Sequence, residues 1–188
     1  TYYLKYVLDT NDGQPVLAPA SNLPTKKCGE IPELYPVFPY DRYGLGCDGL
    51  EMVLRTWQHT GGSKTFVSWH QGGIFCARLG LADEAADFAI KKLADSGRRF
   101  PTFWGPGHDW VPDHNWGGSG MIGLQEMLLQ SQGDQIRLLP AWPKNWDVDF
   151  RLHAPHNTVV DAQVRGGRIV EWKVTPESRR NDVILMAK

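Results

Sequence analysis

Cysteine is scarce in this chain. Its 188 residues include three cysteines, Cys28, Cys47 and Cys76, and none of them stands in a Cys-x-x-Cys spacing. An odd number of cysteines without paired spacing argues against a disulfide framework and against a zinc site. The sequence therefore predicts reduced or buried thiols, with a single Cys28–Cys47 bridge as the alternative.

An excess of charge of one sign is also missing, since the formal net charge is -1 at pH 7. A chain so close to neutral offers no electrostatic attraction for nucleic acid or for an anionic membrane surface. No apolar run reaches the length of a membrane span. The sequence also lacks a P-loop, a dinucleotide-binding glycine pattern and a serine nucleophile elbow, which argues against the enzyme classes that those motifs mark.

Tryptophan is abundant by contrast, with eight residues. Three of them lie in segment 100–118, together with two histidines, two aspartates and one asparagine. Pro101, Pro106 and Pro112 prevent a regular element from running through this segment, which is therefore predicted to be a loop. One interpretation is a cleft wall, where indole rings stack on sugar faces and polar groups bind hydroxyls. The other is a loop whose tryptophans are buried for packing.

The cleft interpretation assigns roles by residue type. Paired carboxylates are the usual route to cleaving a glycosidic bond, one as acid and the other to activate water or to attack the sugar. The catalytic candidates in the loop are Asp109 and Asp113, and the candidate partners from an earlier segment are Glu30, Glu33 and Asp41. The predicted substrate-binding residues of the loop are Trp104, His108, Trp110, His114, Asn115 and Trp116.

The same loop offers metal-ligating groups. His108, Asp109, Asp113 and His114 could ligate a metal ion, but their spacing matches no standard zinc pattern. We therefore predict no metal and no cofactor.

Two other segments are predicted to line the same cleft. Trp69, His70 and Gln71 stand at the start of the inner helix of a predicted helical hairpin, where they would face the enclosed cavity. Tyr40 and Arg42 belong to a proline-rich stretch that mixes acids, tyrosines and an arginine. The structural alternatives are a core position for Trp69 and a surface wrap with a satisfied ion pair for the proline-rich stretch.

Apolar periodicity divides the chain near Gly133 into a helical part and a strand part. Helices are predicted over residues 49–59, 69–79, 83–94 and from 119 onward, with Asp48 and Ser68 as caps of the first two. Strands are predicted over residues 135–139, 148–153, 158–164, 168–175 and 182–186, with a hairpin turn at Arg165–Arg168. Residues 1–8 are expected to end a helix, and residues 9–39 to form a long loop.

Several motifs of the chain resemble a known family. The run Phe100–Asp113, the helix Gln125–Gln130 and the stretch Leu139–Asp149 are similar to the C-terminal part of large secreted bacterial proteins. Those proteins are related to glycoside hydrolase family 95, which contains α-L-fucosidases and α-L-galactosidases. Glu33–Pro39 and Ala77–Gly80 fit the same resemblance, which covers most of the chain and is more specific for fold than for substrate.

The resemblance implies the last hairpins of an (α/α)6 toroid in residues 1–133, followed by an antiparallel β-sandwich in residues 134–188. In that family an Asp-Gly-Asn-aromatic-Gly motif precedes the corresponding helix, and its aspartate helps to activate the attacking water in an inverting mechanism. The matching positions here are Asp113, Asn115, Trp116 and Gly117, with His114 in place of the usual glycine.

The general acid of the family lies in the earlier half of its toroid, and only about two helical hairpins are predicted here. The remaining hairpins are expected in an N-terminal part of the same enzyme, without which this chain is not expected to be competent. The predicted function is therefore the C-terminal portion of a secreted or periplasmic glycoside hydrolase acting on an oligo- or polysaccharide. The alternatives are a polysaccharide lyase, in which Tyr40, Arg42 and His114 matter more, and a non-catalytic glycan-binding protein.

Overall fold

The chain forms two compact units, residues 1–65 and residues 66–188. The computed structural model describes residues 8–20, 29–60, 64–95 and 114–186. Within these ranges, none of the helices has both the length and the apolar character that crossing a membrane requires. The predicted domain boundary between residues 133 and 134 lies inside the second unit.

The first unit contains a hairpin of strands β1 (Leu8–Asn11) and β2 (Gln14–Leu17), which pair antiparallel. Asp12 and Gly13 form the two-residue turn, with φ angles of 50° and 75°. Asp-Gly is among the strongest short-range hairpin signals, because both turn positions need positive φ. The predicted loop over residues 9–39 is therefore wrong at this hairpin.

Helix α1 (Leu50–His59) confirms the first predicted helix. The residue before it is Gly49, with φ of 84°, and no side chain caps the helix, so the predicted Asp48 cap is wrong. The Leu17 amide donates to the hydroxyl of Thr56 at 2.9 Å and thereby ties β2 to the buried face of α1.

Three α-helices are described in the second unit, α2 (Gly72–Arg78), α3 (Ala82–Leu93) and α4 (His114–Leu128), together with a 3-10 helix at Glu177–Asp182. Helices α2 and α3 confirm the predicted helical hairpin with a short turn. Helix α2 begins three residues later than predicted, because the chain before it makes a turn in which the His70 amide donates to the Val67 carbonyl at 3.1 Å. The predicted Ser68 cap is wrong for the same reason, since Ser68 lies within this turn.

Helix α4 begins at His114 instead of Ser119, so the last residues of the predicted loop are helical. Glycines in its first turns disfavour a helix by propensity. Tertiary packing overrides that preference: a Cβ on Gly120 would lie 3.1 Å from a leucine side chain of α3, and one on Gly123 would lie 3.7 Å from the backbone of Gly73. Gly120 therefore lets α4 approach α3 closely, whereas a Cβ on Gly123 would be in ordinary van der Waals contact with α2.

The described strands of the second unit form two three-stranded sheets. The first has the order β3 (Leu129–Gln132), β4 (Gln135–Leu138) and β8 (Val183–Leu185), with β3 antiparallel and β8 parallel to β4. The second is the antiparallel series β5 (Val148–Ala154), β6 (Thr158–Arg165) and β7 (Arg168–Thr175). The five predicted strands are confirmed, whereas β3 was expected to be helical.

The two sheets share one hydrophobic core. Its buried residues are Leu129, Ile136 and Leu138 from the first sheet and Val160 and Val174 from the second. Alternate residues of a strand face opposite sides, so one face of each sheet supplies this core. The described residues thus combine helices with small sheets, in agreement with the coarse fold class predicted.

An exposed ion pair joins β5 to β6. Arg165 donates to the two carboxylate oxygens of Asp149 at 2.6 and 2.9 Å. This contact holds the pKa of the Asp149 carboxyl below its ordinary range. Its contribution to stability is present above the unfolded-state pKa and is lost as the pH falls through the lower folded-state pKa. Because both groups are exposed, the contribution is small.

The turn between β6 and β7 provides a test of the backbone packing. Gly166 and Gly167 form it with φ of 55° and 69°. A Cβ on Gly167 would lie 2.2 Å from the Lys144 carbonyl oxygen, whereas one on Gly166 would meet nothing within 4 Å. We expect Gly167→Ala to lower the free energy of unfolding by about 3 kcal/mol, and the matched Gly166→Ala by about 1 kcal/mol, for its left-handed backbone alone.

Urea unfolding followed by circular dichroism measures both variants. If both variants lost the same free energy of unfolding, the close approach of Gly167 to the Lys144 carbonyl would have no energetic consequence.

Candidate functional site

A buried lysine of α3 holds the turn before α2. Lys92 is 5% exposed. Its ammonium group donates to the carbonyl oxygens of Phe66 at 2.8 Å, Ser68 at 2.7 Å and His70 at 3.4 Å. An ammonium group has three protons to donate, and a buried cation is tolerated only when such partners surround it. The turn over residues 66–70 is therefore fixed to α3 by one side chain.

The first turns of α4 add a second attachment. The indole N–H of Trp116 donates to the Lys92 carbonyl at 2.6 Å, and its ring centroid lies 5.4 Å from the Lys92 ammonium nitrogen. The Ser119 hydroxyl lies 3.1 Å from the Ser68 carbonyl oxygen and 2.6 Å from that of Asn115. Three separate segments of the second unit thus meet at the turn.

Trp69 and His70 lie side by side in this turn. Their rings stack with centroids 5.5 Å apart and planes inclined by 15°. His70 Nδ1 lies 2.7 Å from the Val67 carbonyl oxygen. A carbonyl can only accept, so Nδ1 carries the proton, and in the neutral ring Nε2 is the nitrogen with acceptor capacity. This tautomer gives His70 a basic nitrogen for a hydroxyl or a proton.

A depression lies where α2, α3 and α4 meet. It is small, with a cavity volume of about 10 Å³, which is room for about one water molecule. Its polar lining comes from His70, Lys92 and Ser119, and its apolar lining comes from Ala85, Phe88, Ala89, Leu124 and three glycines. Its lining, apolar with a few convergent polar groups, has the composition of a small-molecule site.

Gln71 adds a polar group close to this region in sequence. Its Oε1 is buried and accepts no hydrogen bond within the described part of the chain. A desolvated acceptor without a donor costs about 1–3 kcal/mol. A ligand hydroxyl would relieve that cost, which makes Gln71 a reasonable binding residue.

The predicted residues of α4 have different surroundings. His114 and Asn115 are exposed in its first turn. Trp116 is 3% exposed, and its ring packs edge-on against Phe66 with centroids 6.0 Å apart. Burial of the whole ring favours the packing alternative over a sugar platform for Trp116, so we leave it out of the candidate site.

Five predicted site residues of the loop lie outside the described residues: Trp104, His108, Asp109, Trp110 and Asp113. Their roles remain predictions.

Three predicted site residues, Glu33, Tyr40 and Arg42, lie in the first unit. Glu33 lies in the short 3-10 helix Pro32–Leu34, is 5% exposed and accepts a hydrogen bond from the Thr60 hydroxyl. That contact gives Glu33 a structural role inside its unit. Tyr40 is 63% exposed, and Arg42 is exposed as well.

Sequence reasoning missed Lys92 and Ser119. A weak signal exists for Lys92, which stands seven residues after Ala85 and three after Ala89 on the buried face of α3. A lysine in the last turn of a helix is normally interpreted as a solvated charge near the negative end of the helix dipole. Only the packed structure shows that this one points inward.

Two of the motifs that carry the family resemblance contact each other. Arg78 at the end of α2 pairs with Glu126 of α4 through Nη2–Oε1 at 3.0 Å and Nε–Oε2 at 2.8 Å. The Gln130 side chain donates to the Ala77 carbonyl at 2.7 Å. These motif residues therefore join α2 to α4 and β3, and their role in this structure is to hold the elements together.

Within the described ranges, no three His, Cys, Asp or Glu side chains are grouped to hold a metal ion. No protein-family model matches the chain, and the comparison with curated proteins gives no match either.

The Arg78–Glu126 pair can be tested against an exposed pair on α3. Its side chains are only 13% and 15% exposed, so Glu126→Gln leaves a cation in a largely desolvated position. We expect this substitution to lower the free energy of unfolding by about 2–4 kcal/mol. The matched control is Asp87→Asn, which breaks a half-exposed pair with Lys91 and is expected to cost less than about 0.5 kcal/mol.

Chemical denaturation measures both differences. A loss for Glu126→Gln no larger than that of the control would contradict the structural role.

Proposed function

We propose that the chain is the C-terminal portion of a glycoside hydrolase that cleaves glycosidic bonds in complex glycans by an inverting mechanism. The observation that supports this best is the position of His70, which lines the depression between α2, α3 and α4 and stacks on Trp69. An aromatic ring beside a basic nitrogen and a hydroxyl suits a sugar, which has apolar C–H faces and many hydroxyl groups.

Asp113 is proposed as the group that activates the attacking water. It directly precedes His114, the first residue of α4, so its place in the chain is next to a helix packed on α2 and α3. A catalytic group attached to a rigid element is held more accurately than one in the middle of a loop. Asn115, His114 and Gln71 would bind hydroxyls, and Trp104 and Trp110 would form the sugar platform.

The finer fold belongs to the same proposal. Helices α2 and α3 would form one hairpin of an (α/α)6 toroid, and the two sheets with their common core would form the C-terminal sandwich. The pairwise contacts of α2, α3 and α4 and the shared cluster of Leu138 and Val160 support this arrangement. The remaining hairpins, the general acid and the secretion signal would belong to an N-terminal part of the same protein.

The test uses the intact protein and a panel of 4-nitrophenyl glycosides that includes the α-L-fucoside and the α-L-galactoside. Asp113→Asn keeps the shape of the side chain but removes its basicity, so we expect kcat to fall by about 10²- to 10⁴-fold with little change in KM. The matched control is the exposed Asp87→Asn, which should keep full activity. Unchanged turnover in Asp113→Asn would reject the proposed base.

The products distinguish the two alternatives. Unsaturated products from a uronate-containing polysaccharide would identify a lyase. Sugar binding without turnover by the intact protein would identify a glycan-binding protein.

A further inference from the structure

The peptide chain around Ser68 adopts an unfavourable conformation. Ser68 has φ of 45° and is completely buried. The left-handed region costs a non-glycine residue about 1–2 kcal/mol and persists only where the surroundings determine the backbone. Here the Ser68 carbonyl accepts from the Lys92 ammonium at 2.7 Å. The Ser119 hydroxyl lies 3.1 Å from the same oxygen and 2.6 Å from the Asn115 carbonyl oxygen, so its single proton is shared between them. The shape of the turn is therefore imposed by its neighbours in the fold.

That shape decides the state of the His70 ring. The contact between Nδ1 and the Val67 carbonyl spans only three residues, so it exists only while the turn keeps its form. The His70 carbonyl itself faces the Lys92 ammonium at 3.4 Å. A neutral histidine side chain in water favours the proton on Nε2. In a protein, the hydrogen bond made by one ring nitrogen selects the tautomer.

We propose that Lys92 is a positioning residue, which holds the 66–70 turn so that His70 keeps its proton on Nδ1 and offers Nε2 as the basic nitrogen. Lys92 lines the depression, but in this role it acts through the three carbonyls that its ammonium group binds. The effect on the tautomer follows from contacts within the second unit, whereas the effect on activity rests on the proposed function.

The first experiment reads the tautomer directly. The full-length protein is labelled with 15N-histidine, and the ring nitrogen shifts of His70 are measured at a pH where the ring is neutral, with His70→Gln to identify its signals. We expect the wild type and the control Lys91→Met to carry the proton on Nδ1. Lys92→Met removes the ammonium at nearly constant side-chain volume, and the proton should then move to Nε2 or exchange between both nitrogens.

A second variant guards against a failure of Lys92→Met to fold. Lys92→Gln keeps a polar group but removes the charge and one of the three donors that serve the carbonyls. In either folded variant, a changed His70 tautomer supports the proposal. A His70 proton that stays on Nδ1 overturns it. A wild type with the proton on Nε2 would overturn it without any variant.

The second experiment measures kcat/KM on 4-nitrophenyl α-L-fucoside and α-L-galactoside. Misplacing a catalytic or binding group by about 1 Å costs on the order of 10²-fold, so we expect a fall of about tenfold to a hundredfold in folded Lys92 variants and none in Lys91→Met. An unchanged kcat/KM beside a changed tautomer would overturn the role in activity. Absence of turnover in the wild type would reject the proposed function, while the tautomer measurement would still decide the role of Lys92.

Discussion

The structure of the second unit depends on how one buried cation is satisfied. Lys92 is buried, so the protein must stabilise its charge. Three carbonyl oxygens of a single turn do so by accepting hydrogen bonds from its ammonium group. The carbonyls depend on Lys92 in turn, because a buried carbonyl needs a hydrogen-bond donor. Leaving one without a donor costs about 1–3 kcal/mol of folding free energy. The backbone of the same residue accepts from Trp116, so α4 is fixed to α3 at the same place. One residue therefore connects the turn to α3 through its side chain and connects α3 to α4 through its backbone carbonyl.

The same packing separates an enclosed tryptophan from a partly exposed one. Trp116 belongs to the tryptophan-rich segment that suggested a sugar platform, but its ring is enclosed and its N–H is used inside the unit. Trp69 is only half-buried and stacks on His70, which lines the depression. Composition cannot distinguish these two tryptophans, because both are flat, large and adjacent to polar residues. Burial and the use of the indole N–H do distinguish them.

The opposite end of the helices is held by charges and amides. Arg78 and Glu126 form a paired contact that is largely removed from water, and Gln130 extends it to the Ala77 carbonyl. Here these residues complete the hydrogen bonds of neighbouring elements. The depression with His70 is lined instead by the start of α2, by α3 and by the middle of α4. The candidate site is thus built on rigid helices that are anchored at both ends.

The sequence by itself determined the elements whose signals are local. Apolar periodicity located α1, α2 and α3 and five of the strands, and the glycine pair located the hairpin turn at Arg165–Arg168. Only the tertiary structure decided the early start of α4, the inward position of Lys92 and the enclosure of Trp116. The reason is physical. A glycine-rich segment can be loop or helix, and a lysine at a helix end or an aromatic ring can be exposed or buried. Contacts with residues distant in sequence select between these states. For the site, the sequence placed His70 beside a cavity, but the partners that orient it come from α3 and α4.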